Sequence, residues 1–295
     1  MSKVQANCLL LLAAAFWGFG NVAQKTVLNH LDPLSAVGMR CLIAGLMAAP
    51  LTMLEWRRKF GPGYSMSLIK VCMLFSISIA IQQVSYLGTS VTNASFLVNT
   101  ATVMTPLVAW LLIGARPTAI GGLVAATTLV GVLLLSGGLT DSFNQGDLAA
   151  ILSAACYALW MVQLGHHMQT HGAPVTTAAA QFLAAAVITL PLGALQGNLS
   201  PAAIKDAGLE LAVLGIFSTA AAFGIQTIAQ RFTSASHAAV IVSAESVFGA
   251  IGAAIFLGER LSPVGAVGAA LVFGSITLLS LSTNRTEISK PAVAD

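Results

Sequence analysis

Two charged residues stand where an apolar sequence has little reason to carry them. Glu245 lies nine residues into an apolar run that begins near 236, and Arg40 lies seven residues into one that begins at 33. At 1.5 Å per residue, these positions are roughly 13 Å and roughly 10 Å along a helix. A carboxylic acid at such depth is a proton-coupling site or a partner for a substrate's ammonium group. Its plainer reading is a neutral acid hydrogen-bonded between helices. A guanidinium at such depth can receive a substrate carboxylate on two parallel donors. For Arg40 the expectation is instead a structural brace, bonded to carbonyls, paired with Glu245, or reaching up to the interface.

Rings and amides form a second set. Trp17 and Asn21 are four apart and share a helix face; Tyr157, Trp160 and Gln163 follow at intervals of three. Gln82 and Tyr86 repeat the four-residue spacing, as do Gln226 and Gln230. Flat rings beside amide dipoles suit a cavity for zwitterionic or partly apolar solutes, through stacking, cation–π contact and hydrogen bonds. The plainer reading of the rings is helix packing. Asn93, Asn99, Thr102 and Thr105 on one run are answered by His237, Ser243 and Ser246 on another. Such groups face an axis, or merely bond back to their own helix. The expected substrate-binding set is Trp17, Asn21, Gln82, Tyr86, Asn99, Tyr157, Trp160, Gln163, Gln226, Ser243 and Glu245. Glu245 and Arg40 are the coupling or structural charges.

Catalysis finds no support. HExxH, GxSxG, Walker and Rossmann patterns are missing from any suitable context, and no nucleophile, base and orienting group cluster together. No catalytic residue, cofactor or ATP-driven step is expected. His166, His167 and His171 have a metal-like spacing but lie at a helix end without Cys or carboxylate neighbours, so no metal is expected. Cys8, Cys41, Cys72 and Cys156 each sit inside an apolar run and read as small buried side chains.

The elements that hold these residues follow from composition. The 295 residues are 57% hydrophobic and only 8% charged, against roughly 25% charged in soluble proteins. So little charge cannot cover a water-facing surface, and the surrounding medium is a lipid bilayer. A net charge of +3 is too small to imply nucleic acid. Runs of about 20 apolar residues suffice to span the hydrocarbon. They occur near 7–28, 33–53, 67–88, 92–113, 117–136, 147–166, 174–195, 208–230, 236–257 and 262–282. Continuous rather than alternating apolarity makes them helices. The first run resembles a cleaved leader at Ala13–Ala15, but it continues and has a later counterpart. Lys and Arg cluster at the ends that face inward when both termini are cytoplasmic, nine against three. The polar tail 284–295 then lies in the cytoplasm, and the location is a cell (inner) membrane.

The chain repeats itself. From 82 to 136, a shift of 144 positions makes fifteen of 55 residues identical, Gln82/Gln226 and Thr89-Ser90/Thr233-Ser234 among them. Trp17 falls on Trp160 at a shift of 143, and Pro33 and Pro50 fall on Pro174 and Pro191 at 141. Helices 1–5 (1–138) therefore correspond to helices 6–10 (139–283). Five is odd, so the second copy enters from the opposite face. The expected fold is an all-α integral membrane protein of ten transmembrane helices in two inverted five-helix repeats. Secondary transporters use that arrangement for alternating access. Pro106 is expected to kink the fourth run, with Ala250 in its place in the ninth. Gly121/Ala125 and Gly265/Ala269 read as close-packing faces on supporting helices.

At this point the sequence resembles the drug/metabolite transporter superfamily, in its EamA-type branch. The carriers are the duplication, Ala-Phe-Trp-Gly at 15–18, Arg40, Leu-Gly-Glu-Arg-Leu at 257–261, and Glu245 at the family's "EP" step. Ser246 replaces the usual proline, and Ala101 and Ala115 stand opposite Glu245 and Glu259. The resemblance implies export of small metabolites, most simply amino acids, through a cavity between the repeats. It also admits efflux of cationic drugs, or a purine or nucleotide-sugar carrier. The implied partners are a small-molecule substrate, lipid and, for an active Glu245, protons. A monomer is compatible with one cavity per chain.

Overall fold

In the computed structural model, every regular element among the described residues is helical. Those residues are 1–55, 57–58, 60–137, 143–196, 199–256 and 262–288, without the side chains of 92, 253, 256 and 282–288. The string at 257–261, with Glu259, and the end of the tail lie outside them. The helices are α1 (Lys3–Thr26), α2 (Pro33–Ala48), α3 (Tyr64–Ser85), α4 (Val91–Val98), α5 (Ala101–Ile113), α6 (Ala119–Leu135) and α7 (Gln145–Thr170). They continue with α8 (Pro174–Ala194), α9 (Pro201–Asp206), α10 (Gly208–Ala212), a π-helix (Val213–Ala221) and α11 (Ala222–Ala229). The chain ends with α12 (Ala235–Val242), α13 (Glu245–Phe256) and α14 (Pro263–Ile288).

Eight helical segments are long and apolar enough to cross a membrane, and Pro33–Ala48 and Ala119–Leu135 are shorter apolar helices. The two short ones correspond to the expected runs 33–53 and 117–136. Pro50 opens a 3-10 turn that ends α2 early. Thr118, whose hydroxyl accepts from the Gly121 amide, starts α6 late. Leu111, Leu123, Val187 and Leu209 are exposed while Asn21, Gln24, Arg40, Gln83, Gln226 and Gln230 are buried. Apolar outside and amides inside reverse the order of a water-soluble fold and suit a lipid surround. Cys41 and Cys72 are buried and Cys156 is half-buried, but Cys8 is exposed on α1.

Equivalent residues start and interrupt equivalent helices. Ser90 caps α4 by accepting from the Asn93 amide, and Ser234 caps α12 by accepting from His237. The breaks between α4 and α5 and between α12 and α13 fall at 99–100 and at 243–244, which are 144 apart. This moves the interruption expected at Pro106, which lies inside α5. At both breaks the backbone bonds shorten to three-residue steps, Thr102 to Asn99 and Ser246 to Ser243. Local side chains compete with the ladder there: Thr100 Oγ1 donates to the Leu97 carbonyl and Ser243 Oγ to the Val240 carbonyl, each at 2.6 Å. Both copies break at the same place, proline or not.

The helices pack in matched pairs: α2 on α8, α6 on α14, α3 on α7, and α1 on α11, α12 and α13. α6 and α14 meet where a Cβ on Gly131 would lie 2.8 Å from the Gly268 carbonyl oxygen, so only glycine fits. That contact is one to three turns beyond the Gly121 and Gly265 expected from sequence.

Candidate functional site

A cavity opens where α1, α2, α3, α7, α11 and the two interrupted helices converge. Trp17, Asn21 and Gln24 of α1, Arg40 of α2 and Gln82 of α3 border it, as do Asn99, Ala101 and Thr102 at the first break. Tyr157, Trp160 and Met161 of α7 face Phe223 and Gln226 of α11, and Glu245 at the second break completes the wall with Val98, Ala239 and Val242. α6 and α14 contribute none of the lining, which places those two helices outside the site as supports.

A continuous polar chain runs along one side. Arg40 is 1% exposed, and its Nε donates to Thr219 Oγ1 at 2.7 Å. Its two terminal nitrogens donate to Gln24 Oε1 and Ser218 Oγ, both at 3.1 Å. Gln24 Nε2 donates to Asn21 Oδ1 at 2.9 Å, and Asn21 Nδ2 donates to Ser95 Oγ at 3.3 Å. Ser218 and Thr219 lie in the π-helix, whose wider turn also presents the Ser218 carbonyl to Trp17 Nε1 at 2.9 Å. Gly18 makes this corner compact: a Cβ there would lie 2.5 Å from the Glu245 carbonyl oxygen. Three of the five guanidinium donors are thus engaged by neutral oxygens. No ion pair joins Arg40 to Glu245 among the described residues, so the pairing weighed from sequence is not formed.

The opposite side is aromatic. Phe223 sits edge-on to Trp17 at 4.7 Å and to Trp160 at 5.6 Å, and nearly parallel to Tyr157 at 6.4 Å. Tyr157 donates its hydroxyl to Gln82 Oε1 at 2.8 Å, and Trp160 Nε1 donates to Gln181 Oε1 at 3.1 Å. Trp17, Tyr157 and Trp160 are therefore each held by ring contacts and one polar anchor, which fixes their orientation.

Three of the expected residues stand elsewhere. Gln163 turns toward α3 and donates to Ser67 Oγ at 3.1 Å, beside His167. Tyr86 is fully buried outside the lining. Ser243 spends its hydroxyl on its own helix. Gln24 and Phe223, by contrast, are central and were not singled out. Gln24 is three residues from Asn21 and Phe223 three from Gln226, so helical spacing carried a signal for both.

The profile of the EamA-like transporter family matches residues 4–137 and again 144–281. An uncharacterized transporter of Archaeoglobus fulgidus is 27% identical over 287 residues, covering 95% of this chain and 87% of that protein. The uncharacterized transporter YwfM of Bacillus subtilis is 25% identical over 296 residues, 97% of each. The threonine/homoserine exporter RhtA of Escherichia coli is 30% identical over 143 residues, 48% of this chain and 45% of its own. A solved crystal structure superposes with a TM-score of 0.79 at 18% identity, over 97% of this chain and 100% of that chain; the likeness is one of fold.

Proposed function

The chain belongs to the EamA-like transporter family, and we propose that it exports small zwitterionic metabolites, amino acids first, by alternating access through the central cavity. The observation that carries this reading is a pair of opposite charges sharing one cavity without meeting. Arg40 and Glu245 both border it, and Arg40 is held by neutral groups alone. Buried charge at membrane depth is costly without an opposite partner. A zwitterion supplies both partners at once, its carboxylate to the free guanidinium donors and its ammonium to Glu245. A permanent cation answers Glu245 and leaves Arg40 as it was, which ranks cationic drugs lower. The half-length likeness to a threonine/homoserine exporter supports the same choice.

The proposal includes ten crossings in two inverted repeats, 1–138 and 139–283. The helix pairing supports it. Exchanging the halves carries the α3–α7 pair onto α11–α1 and the α5–α7 pair onto α13–α1, while α2–α8 and α6–α14 map onto themselves. A duplicated odd number of crossings has this pattern when a two-fold axis lies in the membrane plane. Both termini are cytoplasmic and the membrane is the inner one, supported by the excess of inward Lys and Arg. Glu245 is the proton-coupling residue.

The test uses the purified full chain in liposomes preloaded with a neutral amino acid. The expected result is saturable counterflow of the labelled compound. Glu245→Gln reduces it more than Glu259→Gln does. Flux that is the same in wild type and Glu245→Gln from about pH 5 to pH 8 would remove the coupling role. Counterflow of cations but of no amino acid would overturn the substrate class.

A further inference from the structure

The internal repeat allows one half of the cavity to be read against the other at a single hydrogen bond. Gln82 and Gln226 are equivalent residues and both border the cavity. Gln82 Oε1 accepts the Tyr157 hydroxyl at 2.8 Å. Tyr157 lies three residues before Trp160, and the residue three before Trp17 is Ala14, which has no hydroxyl to give. Gln226 is 1% exposed, and its Oε1 is buried without a partner. Its Nε2 likewise has no hydrogen bond among the described residues. Of the buried orphan side chains, Gln226 is the one that borders the cavity.

A buried amide oxygen without a partner is costly, and each such group demands an explanation. Trp17, Phe223, Ala239 and Val242 border the same cavity, together with polar residues such as Asn21 and Gln24. Resting on the zwitterion reading above, we infer that Gln226 is a specificity-determining residue that receives a hydroxyl on the substrate's side chain, in the role the Tyr157 hydroxyl plays for Gln82. A hydroxyl donates one bond and accepts another, which matches both ends of the amide. Arg40 and Glu245 hold the backbone charges of the substrate, and Gln226 reads its side chain. The preferred substrates are therefore small hydroxyl-bearing α-amino acids rather than their methyl isosteres.

Competition in the liposome assay tests this with the full chain. Labelled L-threonine counterflow is competed by L-threonine against L-valine, and by L-homoserine against L-norvaline. Each pair differs by a hydroxyl in place of a methyl group. The hydroxylated member competes about tenfold or more better in wild type, the scale of one bond to an otherwise unpaired buried group. In Gln226→Leu the two members come within about twofold, while L-valine competes at least as well as before, which also shows that the variant is folded and active. Equal competition by both members in wild type overturns the inference and leaves the zwitterion reading standing. A preference that survives Gln226→Leu also overturns it. Failure of every amino acid to drive or compete for counterflow overturns the zwitterion reading itself.

Discussion

At one end of the bundle, the Lys25 ammonium at the end of α1 donates to the carbonyls of Tyr86 and Thr89 in the α3–α4 turn. The Thr89 hydroxyl donates to Asp147 Oδ1 of α7 at 2.5 Å, and Asp147 Oδ2 accepts from the Asn144 amide at 3.0 Å. Gly146 is pressed against this turn, so that a Cβ on it would lie 2.6 to 2.7 Å from backbone atoms of Gly88, Ser85 and Thr89. At the other end, the equivalent α11–α12 turn carries Thr233 in place of Thr89. The Thr233 carbonyl accepts from Gln169 Nε2 at 3.3 Å, a neutral bond where Lys25 makes a charged one. A hollow lies there, bordered by Lys3, Gln169, Arg231, Thr233, Ser234 and His237. Equivalent stretches of chain thus close one end on charge and bare backbone, and bridge the other at Thr233 by a neutral bond. In the topology proposed above, the tight end is the one that faces outward.

The largest effect belongs to Thr89→Val. It leaves the buried Asp147 without its hydroxyl donor, and hydrogen bonds to a charged group contribute about 1.5–3 kcal/mol. Opening of that end should rise about tenfold to hundredfold, read as maleimide labelling of Val98→Cys from the Lys25 side in a background lacking the native cysteines. Thr233→Val should change labelling from the opposite side by less than about twofold, because Thr233 contributes its backbone carbonyl and not its hydroxyl. Equal responses at the two ends would erase the distinction between them.

Gly146→Ala and Gly165→Ala come next. The first forces backbone apart and should cost about 1–3 kcal/mol, seen as a lower thermal midpoint in detergent or as a shift toward the state open at the Lys25 end. Gly165 lies on the same helix near the loose end, where a Cβ would find Gln230 Nε2 at 3.7 Å, an ordinary contact. Its replacement should be neutral or stabilise by up to about 1 kcal/mol, since alanine favours the helix. A destabilised Gly165→Ala would show that the loose end is packed as tightly as the other.

The sequence made much of this comparison legible and missed its details for definable reasons. The shift of 144 pairs Ser90 with Ser234 as caps and 99–100 with 243–244 as breaks, so the duplicated architecture was readable from identities alone. Site residues were readable as far as helical phase allows. A step of three residues falls roughly 60° short of a full turn, so Tyr157, Trp160 and Gln163 drift around α7. By Gln163 the face has rotated from the cavity to Ser67 of α3. Phe223 looked like any ring in an apolar run, because nothing in its type distinguishes a cavity wall from a lipid-facing surface. The sequence points to Arg40 as a brace, and its guanidinium donates to Thr219, Gln24 and Ser218. Its partners in the π-helix left no mark in composition that spacing could reveal.

The smallest effect is the most discriminating. Lys25→Gln makes the tight end resemble the loose one while leaving the Thr89–Asp147 bond in place. It exchanges a charged donor for a neutral one, worth about 1 kcal/mol net, so opening at that end should rise about fivefold in the Val98→Cys labelling assay. The reverse change, Gln169→Lys, should not tighten the loose end to match. The new ammonium would reach the Thr233 carbonyl, but it would share the hollow with Arg231. Like charges so close oppose one another, while the carbonyl offers only a dipole. At the tight end Asp147 lies beside Thr89 and adds a favourable field. If Gln169→Lys closes its end as firmly as Lys25 closes the other, the asymmetry resides in that one side chain. If it does not, the asymmetry resides in the surrounding charges, which the second copy of the repeat does not reproduce.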